Sequence, residues 1–159
     1  MENVKYFLII GYGNQLRGDD GIGQEVARLV EEWEKPNVRS RSVHQLTPEI
    51  AEELTHFDYA IFVDASITGE VLEVSSLTPD DSETVVNLGH SINPRSLLSL
   101  AKTLYEYTPQ AWLVAVPGEN FDLGDRLSPT GEEGVNHALT QIQMLIDTYS
   151  NTRPNEDSN

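Results

Sequence analysis

Residues 6–20 read YFLIIGYGNQLRGDD, and this stretch decides the fold class. The run at residues 6–10 is apolar, aromatic and β-branched throughout, which is typical of a strand buried on both faces of a sheet. A glycine ends the run. After the loop that follows, apolar residues recur at helical spacing, at Ile22, Val26, Leu29, Val30 and Trp33. The stretch predicts a strand, a loop and a helix, with the acidic pair Asp19-Asp20 just before the helix.

The rest of the chain continues this alternation of strands and helices. Further strands are predicted at residues 38–46, 59–63, 71–77 and 111–116. Helices are predicted to begin at the cap-and-proline pairs Thr47-Pro48, Asn93-Pro94 and Ser128-Pro129. The alternation predicts an α/β fold, a three-layer α/β/α sandwich. Its sheet is mostly parallel and twisted, has about five strands, and carries helices on both faces.

The length of 159 residues fits one domain of ordinary size. We expect a single domain over residues 1–149 and a disordered acidic tail over residues 150–159, which read SNTRPNEDSN. The apolar run at residues 6–10 is too short for a membrane span or a signal peptide, so we expect a cytoplasmic protein. No long apolar stripe is left over by the predicted helices, and we therefore expect a monomer.

The composition excludes several kinds of chemistry. The chain has no cysteine, which excludes disulfides, thiolate nucleophiles, iron-sulfur clusters and the usual structural zinc sites. Any metal must therefore be held by oxygen and imidazole. The formal net charge is −16, which argues against nucleic acid and membrane surfaces as partners. The acidic surface either keeps the protein in solution or attracts a basic partner.

The glycine-rich loop after the first strand invites comparison with nucleotide-binding loops. In a dinucleotide-binding fingerprint the third glycine would fall at position 16, which is Leu16, and the lysine of a phosphate loop is absent too. The loop instead contains Asn14, whose side chain can hold a tight turn. The simplest interpretation of Asp19 and Asp20 is that one of them caps the next helix.

Three potential metal ligands are predicted to lie near one edge of the sheet. Ligands of open α/β sheets bind beyond the carboxyl ends of the strands. Asp20 lies in the loop after the first strand, and Asp64 comes at the carboxyl end of the strand predicted at residues 59–63. His90 lies in the loop before a predicted helix. Two carboxylates and one imidazole suit a divalent ion such as nickel, zinc, manganese or iron, with open positions for water or substrate. The serine-elbow and zinc-helix motifs of other hydrolases are absent.

Residues 11–23, GYGNQLRGDDGIG, resemble the N-terminal signature of the nickel-iron hydrogenase maturation proteases, the HyaD/HybD/HycI family. Asp64 after Phe62-Val63 is similar to the second aspartate of that family, and His90 is similar to its histidine. The Ser128-Pro-Thr130 opening of the last helix is similar too, so the resemblance spans nearly the whole domain.

The resemblance implies an endopeptidase that removes the C-terminal extension from the precursor of a nickel-iron hydrogenase large subunit after nickel insertion. It implies that Asp20, Asp64 and His90 contact nickel supplied by the precursor, with no organic cofactor, and that Asp20 and Asp64 are the catalytic carboxylates. Whether a carboxylate acts as general base or nickel acts as Lewis acid stays open at this point. Two other functions also stay open: a non-catalytic nickel-checking module for the same precursor, and a metal-dependent hydrolase of small substrates.

One segment departs from the pattern of many members of the family. Residues 44–49 read HQLTPE where those members have an Asp-Gly/Cys-Gly-Thr sequence. This segment resembles the HoxW-like subgroup, which serves bidirectional, NAD(P)-linked hydrogenases. Because this loop is thought to select the precursor, the resemblance implies substrate-recognition residues, namely Asn14, His44, Gln45, Leu46 and Thr47.

Overall fold

A computed structural model describes residues 3–80 and 92–151 of the chain. Within these residues the strands are β1 (Phe7–Tyr12), β2 (Val38–Val43), β3 (Tyr59–Ser66), β4 (Glu73–Leu77) and β5 (Gln110–Pro117). The α-helices are α1 (Ile22–Glu31), α2 (Ile50–Leu54), α3 (Pro94–Tyr105) and α4 (Pro129–Ser150), and a 3-10 turn at Gly18–Gly21 precedes α1. None of the described helices is long and apolar enough to cross a membrane.

The strands form one five-stranded sheet in the order β2-β1-β3-β5-β4. The first four strands in this order are parallel, and β4 runs antiparallel to β5 at the edge. The short connection at residues 67–72 is compatible with this reversal, because a parallel return would need a long crossover. The prediction of a mostly parallel sheet of about five strands is confirmed.

Each face of the sheet carries its own hydrophobic core. Helices α1 and α4 cover one face, where their buried residues pack on side chains such as Phe7, Ile9 and Ile61. Helices α2 and α3 cover the other face, where they pack on Leu8, Ile10 and other side chains that alternate with the first set. The predicted three-layer sandwich with helices on both faces is therefore confirmed.

Two strand boundaries differ from the predictions in ways that matter for the site. The strand predicted to end at residue 63 continues to Ser66, because residues 64–66 pair with residues 115–117 of β5. Asp64 therefore lies within β3 rather than after it. At the other edge β2 ends at Val43, and Leu46 turns into the core beneath α2. Of the predicted tail, Ser150 ends α4 and residues 152–159 lie outside the described part.

The first turn of α1 rests directly on the backbone of two strands. A Cβ atom on Gly23 would lie 2.5 Å from the carbonyl oxygens of both Tyr12 and Val63. A Cβ atom on Gly11 would collide with the Gly23 carbonyl oxygen. Glycine is needed at both positions because the helix and the strands approach closer than any side chain permits. This contact fixes the place where the loop between β1 and α1 lies.

We predict that Gly23→Ala lowers the free energy of unfolding by about 3 kcal/mol, because backbone carbonyls cannot move aside as a side chain can. Urea unfolding followed by circular dichroism measures the change. Gly69→Ala is the matched control, since its Cβ would approach only the Ser66 hydroxyl closely, at 3.0 Å, and would otherwise make ordinary contacts at 3.6 Å or more. Equal unfolding midpoints for the two variants would show that the close approach is not tight in solution.

Candidate functional site

Asp20 and Asp64 lie near each other at the carboxyl end of the sheet. Asp20 belongs to the 3-10 turn before α1, is half-buried, and accepts a 2.7 Å hydrogen bond from the Asn14 backbone N–H. Asp64 is a half-buried residue of β3, the neighbour of β1. The negative charge of Asp20 acts on Asp64 and raises the pKa of its carboxyl group. The predicted carboxylate pair is thus within electrostatic reach.

The surroundings of Asp64 shift its pKa upwards. Burial is the largest cause and, together with the charge of Asp20, raises the pKa of Asp64 to about 6. Hydrogen bonding to the Tyr12 hydroxyl and the Ala65 N–H opposes the rise. Burial and the neighbouring Asp64 charge raise the pKa of Tyr12 in turn, so that its hydroxyl stays protonated. Asp64 therefore keeps its proton to a higher pH than an ordinary aspartate does.

The third predicted ligand, His90, lies outside the described residues, as do its neighbours at 81–91. Across residues 3–80 and 92–151, no group of three His, Asp or Glu side chains is arranged to hold a metal ion. Of the three predicted ligands, Asp20 and Asp64 lie in the described part of the chain.

The predicted recognition residues divide into surface and interior positions. His44 and Gln45 are exposed and Thr47 is half-buried, and all three line a cavity of about 440 Å³. Leu46 is only 6 % exposed and packs in the core with α2 and α3. The Asn14 side chain accepts a 2.9 Å hydrogen bond from the Leu16 N–H, so it holds the turn that the sequence predicts. In the described contacts, Asn14 thus stabilises its own loop and Leu46 belongs to the hydrophobic core.

Asp19 has a position that the sequence does not predict. It is completely buried and does not cap α1. Instead its carboxylate accepts hydrogen bonds from the loop between β5 and α4: Glu119 N–H at 2.7 Å, Asn120 N–H at 3.0 Å, Ser128 N–H at 2.8 Å and Ser128 hydroxyl at 2.6 Å. Burial alone would raise the pKa of Asp19, but these bonds together hold it below its usual range. The partners are about one hundred residues away in the chain, beyond the reach of any local pattern.

Backbone hydrogen bonds join the same two loops. The Gly18 N–H donates to the Gly124 carbonyl oxygen, and the Gly124 N–H donates back to the Leu16 carbonyl oxygen. The Asp19 N–H donates to the Asn120 carbonyl oxygen, and all three bonds are 2.8 Å long. The joined loops border an open cavity of about 800 Å³, whose lining includes Gln15, Leu16, Gly21, Asp125, Arg126 and Leu127. The loop that carries Asp20 is therefore fastened to the loop between β5 and α4.

The fold and these contacts define a class of protein. It is a three-layer α/β protein with a half-buried carboxylate pair at the carboxyl end of its sheet. Such a pair can bind a divalent ion or, through the raised pKa of Asp64, accept a proton near neutral pH.

Solved structures similar to this chain are nickel-iron hydrogenase maturation proteases. The hydrogenase maturating endopeptidase HybD from E. coli has a TM-score of 0.70 and 21% identity, covering 91% of this chain and 93% of that chain. The [NiFe] hydrogenase maturation protease HycI from Thermococcus kodakarensis KOD1 has a TM-score of 0.68 and 21% identity, with 91% and 94% covered. The hydrogenase 2 maturation peptidase from Thaumarchaeota archaeon SCGC_AB-539-E09 has a TM-score of 0.66 and 23% identity, with 89% and 98% covered.

This similarity covers nearly the full length of both chains, and it shows that the chain has the fold of the nickel-iron hydrogenase maturation proteases. No protein-family model and no curated protein matches the chain. The resemblance inferred from the motif at residues 11–23 thus leads to the same fold, while the HoxW-like subgroup stays a prediction.

We predict that Asp64→Asn stabilises the protein at pH 8 by about 1–3 kcal/mol and has little effect at pH 4. The folded-state pKa of Asp64, about 6, lies above its unfolded value of about 3.9. The native state therefore binds the proton more tightly. The charged form costs stability above pH 6, and this cost disappears as the pH falls towards 4.

Thermal unfolding of wild type and Asp64→Asn between pH 4 and pH 8 measures this difference. Asp147→Asn, on an exposed position of α4, is the control for losing one surface charge. A stability difference that stays constant with pH would contradict the raised pKa of Asp64.

Proposed function

We propose that this chain is an endopeptidase that removes the C-terminal extension from the precursor of a nickel-iron hydrogenase large subunit after nickel insertion. The observation that carries the proposal is the pairing of Asp20 with Asp64 at the carboxyl end of a fold shared with three such peptidases. Fold alone does not define function, so the argument depends on this site.

In the proposed reaction the nickel ion belongs to the substrate. Asp20, Asp64 and His90 would contact it, so that only a nickel-loaded precursor is held with its scissile peptide at the site. The Asn14 N–H orients the Asp20 carboxylate, which favours Asp20 as a ligand. A carboxylate held tightly by nickel cannot also act as a free base. Asp64, with its raised pKa, would therefore accept the proton of an attacking water only while it is not a tight ligand. Both carboxylates are thus assigned catalytic roles.

Selection of the precursor is proposed to depend on the surface beside this site. His44, Gln45 and Thr47 would contact the precursor, because they line the cavity at the end of β2. The Gly13 N–H donates to the carbonyl oxygens of Val43 and His44, at 3.3 and 3.2 Å, which ties this surface to the glycine loop.

The cognate enzyme is proposed to be a bidirectional, NAD(P)-linked hydrogenase. The chain is proposed to act in the cytoplasm as a monomer with one domain at residues 1–149.

Replacing the predicted ligands tests this proposal. We expect Asp20→Ala and His90→Ala each to abolish cleavage of a nickel-loaded precursor while the melting temperature changes by only a few degrees. The physical reason is that each change would remove a proposed ligand from a site that we expect at a solvent-reachable rim, away from the core. Intact-mass spectrometry of the precursor and thermal unfolding of each variant give the two readouts.

His56→Ala is the control for loss of a histidine, because His56 is exposed, lies just after α2, and its described side-chain pairing is with Glu52 of that helix. Stoichiometric binding of the precursor by wild type without any mass loss would identify a nickel-checking module instead. A tightly bound metal in the purified chain would favour a metal-dependent hydrolase of other substrates, since the proposal expects the precursor to supply the ion.

A further inference from the structure

We propose that Asp19 is a positioning residue that places Asp20 for the reaction. This inference rests on the proposed function. Asp19 is 0 % exposed and directly precedes Asp20 in the same 3-10 turn. A buried side chain cannot touch the precursor, so any effect of Asp19 on the reaction must act through its neighbours.

The pocket for the Asp19 carboxylate is built for a group that only accepts hydrogen bonds. Its four described bonds come from donors, three backbone N–H groups and the Ser128 hydroxyl, and both carboxylate oxygens are used. An amide in place of the carboxylate would direct an NH2 group at one of these donors. A charged acceptor with several N–H donors also forms stronger bonds than a neutral one. Only an ionised carboxylate satisfies this arrangement.

Two glycines make room for the carboxylate. A Cβ atom on Gly131 would collide with Asp19 Oδ1, and a Cβ atom on Gly118 would lie 2.7 Å from Asp19 Cβ. The Ser128 hydroxyl that donates to Asp19 also accepts a 2.9 Å hydrogen bond from the Gly131 N–H, as the N-cap of α4. Asp19 therefore ties the 3-10 turn to the first turn of a helix of 22 residues.

Asp20 depends on this anchor because its own described hydrogen bonds do not leave its loop. The described hydrogen bonds of Asp20 join it to its own loop, at the Asn14 N–H and at the Arg17 carbonyl oxygen. The loop as a whole is fastened to the opposite loop by Asp19 and by the backbone bonds of residues 16–19. If the Asp19 anchor is lost, the turn can shift relative to β3, and Asp20 moves with respect to Asp64.

The test compares Asp19→Asn with a core variant that also loses stability but leaves the anchor intact. Ile146→Ala is suitable, because Ile146 is buried at the far end of α4. Both variants are assayed with nickel-loaded precursor at a temperature where each is folded. We expect Asp19→Asn to lower kcat about a hundredfold with a smaller change in KM, because misplacing a catalytic group mainly weakens the chemical step. Ile146→Ala is expected to retain kcat.

Ser128→Ala removes one of the four bonds to Asp19, together with the N-cap bond from Gly131, and keeps the Ser128 N–H. It therefore reports on the link between the 3-10 turn and α4 even if Asp19→Asn does not fold. We expect a smaller fall in kcat for this variant. The positioning role would be overturned if either Asp19→Asn or Ser128→Ala retained kcat as fully as Ile146→Ala does. Asp19 would then be purely structural.

Hydrogen exchange separates failure of this inference from failure of the proposed function. Faster amide exchange in Ser128→Ala at residues 18–20 and 119–120, with unchanged exchange in β1 and β3, is expected if Asp19 anchors the turn. Unchanged exchange at residues 18–20 would contradict the anchor whether or not the protein cleaves any precursor. Absence of cleavage by wild type, with the expected exchange pattern, would instead count against the proposed function.

Discussion

The contact between the first turn of α1 and the backbone of β1 and β3 is the constraint on which the site depends. Gly11 and Gly23 allow this contact, because any Cβ atom there would overlap a carbonyl oxygen. With no side chain between helix and sheet, the loop of residues 13–20 has little freedom in where it can run. Asp20 is consequently held close to β3, and its charge contributes to the raised pKa of Asp64. The glycines that make this loop resemble a nucleotide-binding loop thus help to position the Asp20 carboxylate.

Adjacent aspartates in this loop have opposite surroundings. Asp19 is buried with four donors around its carboxylate, and its pKa is held below the usual range. Asp20 is half-buried, with one described backbone donor on its carboxylate. A carboxylate whose acceptor sites are filled is suited to holding structure, whereas one with free acceptor sites is suited to binding an ion. The Asp-Asp pair therefore combines a buried anchor, Asp19, with the proposed ligand, Asp20, in one turn.

The sequence predicts the elements well where the signal is local. The apolar run at residues 6–10 and the cap-and-proline pairs Asn93-Pro94 and Ser128-Pro129 correspond to a strand and two helix starts. Local patterns fail where the partner is distant. The continuation of β3 past Asp64 depends on pairing with β5, the burial of Leu46 depends on α2 and α3, and the role of Asp19 depends on residues 119–128. The carboxylate pair was predictable because parallel strands bring their carboxyl ends to one edge.

In the proposed function, Asp20 and Asp64 belong to a peptidase that cleaves only a nickel-loaded precursor. Intact-mass spectrometry of a hydrogenase large-subunit precursor, with and without nickel, after incubation with this protein tests this function. We expect loss of a C-terminal peptide from the nickel-loaded form and no change in the nickel-free form. An unchanged mass for both forms of a confirmed cognate precursor would contradict the peptidase, and equal cleavage of both forms would contradict the dependence on nickel.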